Sequence, residues 1–292
     1  MTTIREIYGL GDVQPYKYTG LSTITSPYVV KSNELIGIEV EIENVGNDLN
    51  GNPNKVWQVV DDGSLRNAGR EFVTKPILAA SSPVLLDYLF NIYLPKQCCF
   101  SPRTSVHVHL NMLDFTTNQV ADVILLYALF ERLFYKFTGR GRAKNIYCVP
   151  LVETNLLVGL CGRDLRETGW SKYTGLNILC LSNYGTIEFR HMHGTSDVEK
   201  LSIWINLITA LKEFVRSTNS KDIRTSIIQM DDDFDYLALM TRIFGEYTKY
   251  LKYEHLSEIS YNEVKHAITT TETVRRQRAL SKKESLFYSF KG

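Results

Sequence analysis

Residues 36–43 read Ile-Gly-Ile-Glu-Val-Glu-Ile-Glu, so apolar Ile36, Ile38, Val40 and Ile42 alternate with Gly37, Glu39, Glu41 and Glu43. Period two predicts a half-buried strand. Side chains two apart share a face, about 6.5–7 Å from one another. Three carboxylates therefore share a face, although Glu is depleted in strands. Neighbouring like charges raise one another's pKa, so this face calls for something positive opposite it. Two later stretches alternate in the same way. Thr104-Ser-Val-His-Val-His-Leu-Asn111 puts His107 and His109 on one face, and Tyr184-Gly-Thr-Ile-Glu-Phe-Arg190 puts Glu188 and Arg190 on one face. Three strands with period-two polar pairs predict a sheet with one chemical face rather than two core faces.

Elsewhere the pattern changes period. Val56–Val60 reads as a short strand, Asp61–Ser64 as a turn, and Arg70–Thr74 as the return strand, with Glu71 and Val73 on one face. Ser82-Pro83 opens a helix to about Leu94, with Ser82 as cap. Thr116 and Gln119 form a capping box. The helix it opens, about 117–138, carries Val120, Val123, Ile124, Tyr127, Phe130, Phe134 and Phe137 at helical spacing and should be the central buried helix. Residues 173–181 and 185–190 read as a hairpin around Ser182–Gly185. Ser196 and Glu199 form a second capping box, followed by a stripe of Leu201, Trp204, Leu207, Ile208, Leu211 and Val215. Further helices are expected after Asp231–Asp233, to about Leu251, and from Ser260. Loops are expected over 44–54 and 95–103, and the segment 151–173, broken at Gly159 and Gly162, has the character of a lid. Strands cluster without βαβ alternation. That favours an α+β fold: a curved, mainly antiparallel sheet with the active site on its concave face and helices on the convex one. Residues 1–33 read as an N-terminal arm and 34–292 as one catalytic domain, helical from 196 onward.

Composition narrows the classes. The chain has 292 residues, 44% hydrophobic, enough to bury a core. Its formal charge of +1 gives no global field for nucleic acid or membrane. No run of 18 apolar residues predicts a membrane span, and the first residues lack a signal-peptide core. The five cysteines (98, 99, 148, 161 and 180) are odd in number and form no CxxC pair, which predicts reduced thiols in a cytoplasmic protein, host cytoplasm if viral. The basic tail 275–283 reads as a solvated face. In Gly139-Arg-Gly-Arg-Ala-Lys144, the cations suit either a solvated helix C-terminus or bound phosphate, which makes Arg142 and Lys144 nucleotide-binding candidates. No P-loop with its terminal Gly-Lys-Ser/Thr occurs, which excludes that kind of nucleotide site.

The blocks Gly37-Ile-Glu-Val-Glu41, Asp62-Gly-Ser64, Glu71-Phe-Val-Thr-Lys-Pro76, Val106-His-Val-His109, Ile187-Glu-Phe-Arg190 and Gly194-Thr195 together resemble the amidoligase family. That family belongs to the carboxylate–amine ligases with the glutamine synthetase and glutamate–cysteine ligase fold, and its members are frequent in phages and bacteria. The blocks run in order from residue 36 to 195, roughly half of the chain. The resemblance implies ATP-dependent joining of a carboxylate substrate to an amine substrate, a small molecule or a peptide, through an acyl-phosphate. It implies that Glu39, Glu41, Glu71 and Glu188 hold divalent cations, Mg²⁺ or Mn²⁺, with His107 as a further ligand. His109 would face the nucleotide phosphates and Arg190 the transferring γ-phosphoryl group, so His109, Arg190 and Glu71 are the catalytic candidates. Residues 151–173 show no family element, and Glu43 is a carboxylate that the motif does not need. Nucleic acid is expected only as a modified-base substrate, and a homo-oligomer is compatible with the pattern.

The chemistry of the residues agrees. ATP carries about four negative charges, which bare glutamates would repel, whereas Mg²⁺ takes oxygen ligands from carboxylates and phosphates together. An arginine on a transferring phosphoryl group stabilises its transition state. Three other classes compete. A metal-dependent hydrolase fits two histidines and several glutamates, but no HExxH motif occurs. A non-catalytic protein on the same fold would have no use for an intact charged set. A Cys–His nucleophilic enzyme would place a cysteine in a recognisable motif, and none is.

Overall fold

The computed structural model describes residues 2–18, 21, 23–46, 55–94, 97–139, 141–154, 156–160, 169–253, 260–270 and 273. In chain order these form α1 (Ile4–Tyr8), β1 (Leu35–Ile42), β2 (Trp57–Val60), β3 (Arg70–Thr74), β4 (Ile77–Leu78), α2 (Ser82–Tyr88), β5 (Ser105–Asn111), α3 (Thr117–Thr138), α4 (Leu156–Gly159), β6 (Leu176–Asn177), α5 (Leu181–Tyr184), β7 (Thr186–His193), α6 (Val198–Ser217), α7 (Ser220–Ile228) and α8 (Asp233–Phe244). Residues 260–270 are also helical. The strands make one open sheet in the order β2-β3-β1-β5-β7-β6, with β4 also paired to β1, and every pairing is antiparallel. Helices and strands are mixed without βαβ units, so the α+β expectation is met.

The alternation in β1 sorts its side chains as read. Ile36, Ile38, Val40 and Ile42 are buried, and the last three are fully so. Each such side chain contributes about 1.5–3 kcal/mol through removal from water. Their face continues through Val106, Val108 and Leu110 of β5 and Ile187 and Phe189 of β7, all fully buried. Helices α3 and α6 cover it. Trp204 of α6 meets Phe134 of α3 edge-on at 5.5 Å and Phe189 of β7 at 6.2 Å. The opposite face carries the glutamates and histidines.

Helix ends follow local chemistry. Thr116 and Gln119 form the expected reciprocal box at the start of α3, which ends at Thr138 as predicted. Two caps lie one residue from expectation. The helix at Ser82 is preceded by Ser81 as N-cap, and the Ser82 hydroxyl donates instead to the Ala79 carbonyl at 2.7 Å. At α6, Asp197 rather than Ser196 caps, accepting from the Lys200 N–H at 2.9 Å. Helix α2 passes into a π-turn over Leu89–Tyr93, and α8 stops at Phe244 because Gly245 leaves helical geometry with φ 52°. Helix α7, absent from the sequence reading, is anchored to α3 by a buried ion pair, Arg224 Nε to Asp122 Oδ1 at 2.8 Å.

The expected hairpin is a pairing of β6 with β7, but its first strand is two residues long and its turn is α5, closed by Gly185 at φ 65°. Strand β7 carries an irregularity: Val108 faces Phe189 and Val106 faces Met192, so three residue steps on β7 oppose two on β5. Arg190 keeps to the polar face, while this bulge, at Arg190–His191, leaves the consecutive His191 and Met192 both fully buried, His191 against Tyr127 and Tyr135 of α3.

The first residues lie along the sheet. The Ile4 N–H donates to the Phe115 carbonyl at 2.8 Å and the Tyr16 N–H to the Pro76 carbonyl at 2.7 Å. Behind β1, Lys212 of α6 is buried and bonds Glu34 Oε2 at 2.6 Å and Asp114 Oδ1 at 2.9 Å. None of the described helices is long and apolar enough to cross a membrane. The four described cysteines are free. Cys161, most of the lid segment after Leu160, most of the 44–54 loop, Arg140 and the tail 275–283 lie outside the described residues.

Candidate functional site

Register brings the polar residues into two adjacent rows. Glu39 of β1 faces His107 of β5, and Glu41 faces Glu71 of β3. His109 of β5 faces Glu188 of β7, which in turn faces Asn177 of β6. Directly opposed side chains on one face stand close enough to interact, so the pairing alone assembles Glu39, Glu41, Glu71, His107, His109 and Glu188.

His107 sits at the centre, buried. Its Nδ1 lies 3.2 Å from both Glu39 Oε2 and Glu188 Oε1. Its Nε2 bonds the Ser105 hydroxyl at 2.7 Å and lies 3.9 Å from Glu41 Oε1. Ser105 also fixes Glu41, whose Oε2 accepts from the Ser105 N–H at 2.9 Å and from its hydroxyl at 2.7 Å. Nδ1 thus faces the carboxylates of Glu39 and Glu188, and Nε2 faces that of Glu41. Glu39, His107 and Glu188 form one set of ligand atoms within 4.8 Å of one another, and Glu41, Glu71 and His107 form another.

Charge is unevenly balanced across these groups. Burial alone would raise Glu39, but hydrogen bonds from His107 and His109 hold its carboxyl far below the ordinary range. Burial likewise opposes, and the charges of His107, Arg190 and His109 outweigh, in keeping Glu188 low. Glu71 is the exception. Burial, then the charges of Glu39, Glu41 and Asp62, push its carboxyl up to about 8. The charges that act on it most are all negative, so an oxygen-seeking cation is the missing complement. Four carboxylates with one or two imidazoles suit Mg²⁺ or Mn²⁺, the nitrogen favouring the latter.

His109 carries the opposite sign. Burial would lower its pKa, but hydrogen bonds with Cys180 and Glu39 and the charges of Glu39 and Glu188 raise it to about 10. Its Nε2 bonds Glu39 Oε1 at 3.0 Å and its Nδ1 the Thr186 hydroxyl at 3.0 Å. With Glu39, His109 lines an open cleft of about 540 Å³ whose far wall is Leu10–Val13 and whose sides include Lys75 and Tyr184. Gly37 keeps the floor low there: a Cβ at this position would touch His109 Cβ at 3.5 Å.

Arg190 is at the site, paired with Glu188 Oε1 through Nη1 and with the Tyr147 carbonyl through Nε at 3.4 Å. Arg142 and Lys144 are not brought there. Arg142 is buried beneath the bulge, with Nη2 donating to the Arg190 carbonyl at 2.6 Å and Nε to the His191 carbonyl at 2.8 Å. Its Nε/Nη2 edge is thus committed to two main-chain oxygens rather than turned to the cluster. Lys144 is exposed on the same turn, and among the described residues no hydrogen bond or ion pair joins it to the cluster. Glu43 also leaves the row. It lies beyond the end of β1, where its carboxylate accepts from the Arg66 N–H at 3.1 Å.

Ser105, Asn177, Cys180 and Thr186 belong to the site and were not singled out from sequence. Ser105 was open to the same period-two argument as His107, two residues on. Asn177 and Cys180 had no such signal, because a two-residue strand leaves no periodicity.

The chain matches no protein-family model and no curated protein. Fold and site together define a protein with an open antiparallel sheet, one face packed under helices and the other bearing a carboxylate–imidazole cluster beside a cleft.

Proposed function

We propose that the protein is an ATP-dependent carboxylate–amine ligase on a glutamine synthetase-like sheet, forming an amide or peptide bond through an acyl-phosphate. The observation that supports this reading most is the convergence of Glu39, Glu41, Glu71 and Glu188 around His107, with Glu71 pushed up by its burial and by the negative charges of Glu39, Glu41 and Asp62. Divalent cations would be held by these five side chains and would supply neutralisation of phosphate charge.

The chain's own residues then divide the work. His109, held protonated, offers positive charge at the edge of the cleft, where polyphosphate oxygens would lie. Arg190 is the one guanidinium among the described residues that reaches the cluster, and its planar fork suits a transferring phosphoryl group. Ser105 locks Glu41 and His107 in place, so the carboxylates need not reorganise as charge moves. The cleft walled by Leu10–Val13 and Tyr184 is the space open to the nucleotide or the acid.

The test is turnover. Purified protein with ATP and Mg²⁺, challenged with pools of amino acids and diamines, should release ADP and phosphate only when an acid and an amine are both present. Release of AMP and pyrophosphate would rule out the acyl-phosphate route. ATP binding of equal strength with and without metal, measured by calorimetry, would remove the cation platform.

A further inference from the structure

The thiol of Cys180 has no part in the ligase reading, yet it lies against two side chains of the site. Its Sγ is 3.7 Å from Glu188 Oε2 and lies beside the His109 ring. Ligand atoms of His109, Cys180 and Glu188 all lie within 4.8 Å of one another. A tetrahedral zinc, with bonds of about 2.3 Å to sulfur and about 2.0 Å to nitrogen or oxygen, sets its ligand atoms roughly 3.3–3.5 Å apart. Small side-chain movements would close the three on one ion.

The trio is also braced from outside. Asn177 Nδ2 donates to Glu188 Oε2 at 2.7 Å and to Cys180 Sγ at 3.5 Å, and its own Oδ1 is pinned by the Leu179 N–H at 3.0 Å. On the other side the Thr186 hydroxyl bonds His109 Nδ1 at 3.0 Å, which leaves Nε2 as the ligand atom. Metal-binding side chains are characteristically oriented by such outer hydrogen bonds. His109 and Asn177 flank Glu188 on its two neighbouring strands, so ladder pairing rather than a loop sets the spacing of imidazole and carboxylate.

We propose that His109, Cys180 and Glu188 form a binding site for a thiophilic divalent cation, Zn²⁺ by the chemistry of its donors. Thiolate, imidazole and carboxylate suit zinc, whereas Mg²⁺ keeps to oxygen. Binding exchanges the Cys180 S–H bond for an S–Zn bond and the His109 Nε2–H bond for an N–Zn bond, both protons leave to solvent, and thiolate and carboxylate balance the ion's charge. The fourth position falls to water or to Glu39, whose Oε1 is 3.0 Å from His109 Nε2. Glu188 is shared with the oxygen-rich set around His107, so zinc here competes with a cation held there. The site goes beyond the ligase reading and needs no nucleotide.

Cobalt makes such a site visible. The full chain, stripped of metal by a chelator and titrated with Co²⁺, should show a thiolate-to-cobalt charge-transfer band that Zn²⁺ abolishes. The band should vanish in Cys180→Ser and persist in the Cys98→Ser/Cys99→Ser double variant. Asn177→Ala should bind Zn²⁺ about tenfold more weakly or worse. No band in the parent protein, or a band that survives in Cys180→Ser, overturns the proposal. A second measurement needs no variant: Zn²⁺ should protect Cys180 from iodoacetamide, read by mass spectrometry of its peptide, and equal labelling with and without Zn²⁺ overturns the site. Neither measurement involves ATP, so a failure to bind Mg²⁺-ATP would count against the ligase reading alone.

Discussion

Arg142 lies directly behind Arg190: its Nη2 bonds the Arg190 carbonyl at 2.6 Å, and its Nε bonds the next carbonyl, that of His191, at 2.8 Å. Both oxygens belong to the irregular stretch of β7, and that of Arg190 also accepts from the Cys148 thiol at 3.2 Å. Replacing Arg142 by Lys keeps the charge but loses the planar pair of donors that spans both carbonyls. Because buried charge-assisted bonds contribute about 1.5–3 kcal/mol each, Arg142→Lys should destabilise the protein by about 2–4 kcal/mol in urea unfolding. An unchanged midpoint would mean that the bulge holds its shape unaided.

Arg190 itself separates two roles. Its pairing with Glu188 is a structural contact, and the phosphoryl clamp is the proposed chemical one. Arg190→Lys keeps a cation beside Glu188 without the fork. Turnover should fall by about two orders of magnitude, with Mg²⁺-ATP affinity and melting temperature near those of the parent. Near-normal turnover combined with lost stability would leave Arg190 as an ion-pair partner only.

The raised carboxyl of Glu71 gives a pH signature to the metal-free protein. Glu71 is raised from an ordinary 4.5 to about 8, so the native state keeps a proton that the unfolded chain gives up. Its contribution is complete below about 4.5 and is lost as pH rises through about 8. His109, raised from 6.5 to about 10, acts in the same direction over its own window. Glu39 and Glu188, both held down, act oppositely, but their contributions are lost only as pH falls below the ordinary carboxylate range. With EDTA present, the melting temperature should therefore decline between pH 6.5 and 8, and Glu71→Gln should flatten that decline. A melting temperature that climbs through this window would show that Glu71 is already ionised and paired.

Much of the candidate site could be read from alternation, because a strand's period of two is fixed by its pleat. Glu39, Glu41, His107, His109 and Glu188 each declared a face before any pairing was known. What stayed hidden depends on contacts distant in sequence. The loop at Gly139–Lys144 shows only cations. Nothing in it marks Arg142 as the donor for two main-chain oxygens 48 and 49 residues away, because the bulge that exposes them has no sequence signal. Helix α7 has a thin apolar stripe, with Ile223 and Ile227 buried, and its hold on α3 comes from Arg224 and Asp122, 102 residues apart. The misplaced caps at Ser82 and Ser196 arose because a competent capping residue stands immediately beside the one used.

Gly175 is required by the polar cluster behind the sheet. A Cβ there would collide with the Tyr135 hydroxyl, stand 2.8 Å from that of Tyr127 and lie 3.0 Å from His191 Nε2. Those groups are committed: Tyr127 bonds His191 and Glu131, and Tyr135 bonds the Cys148 carbonyl at 2.6 Å. Gly175→Ala should cost about 1–3 kcal/mol as an overpacked site, read as a lower denaturation midpoint. Retention of full stability would show that the tyrosines can give way.

The cleft beside the cluster has one wall that does not belong to the sheet. Leu10–Val13 follow α1, a single helical turn tied by its main chain to Leu113 and Phe115. The width of the opening is therefore decided by a short surface segment, while the charged floor is decided by strand register. Cleft width and charged floor are thus carried on separable parts of the chain. A change in the length of that wall would alter the opening while the register of β1, β5 and β7 still sets the spacing of the cluster.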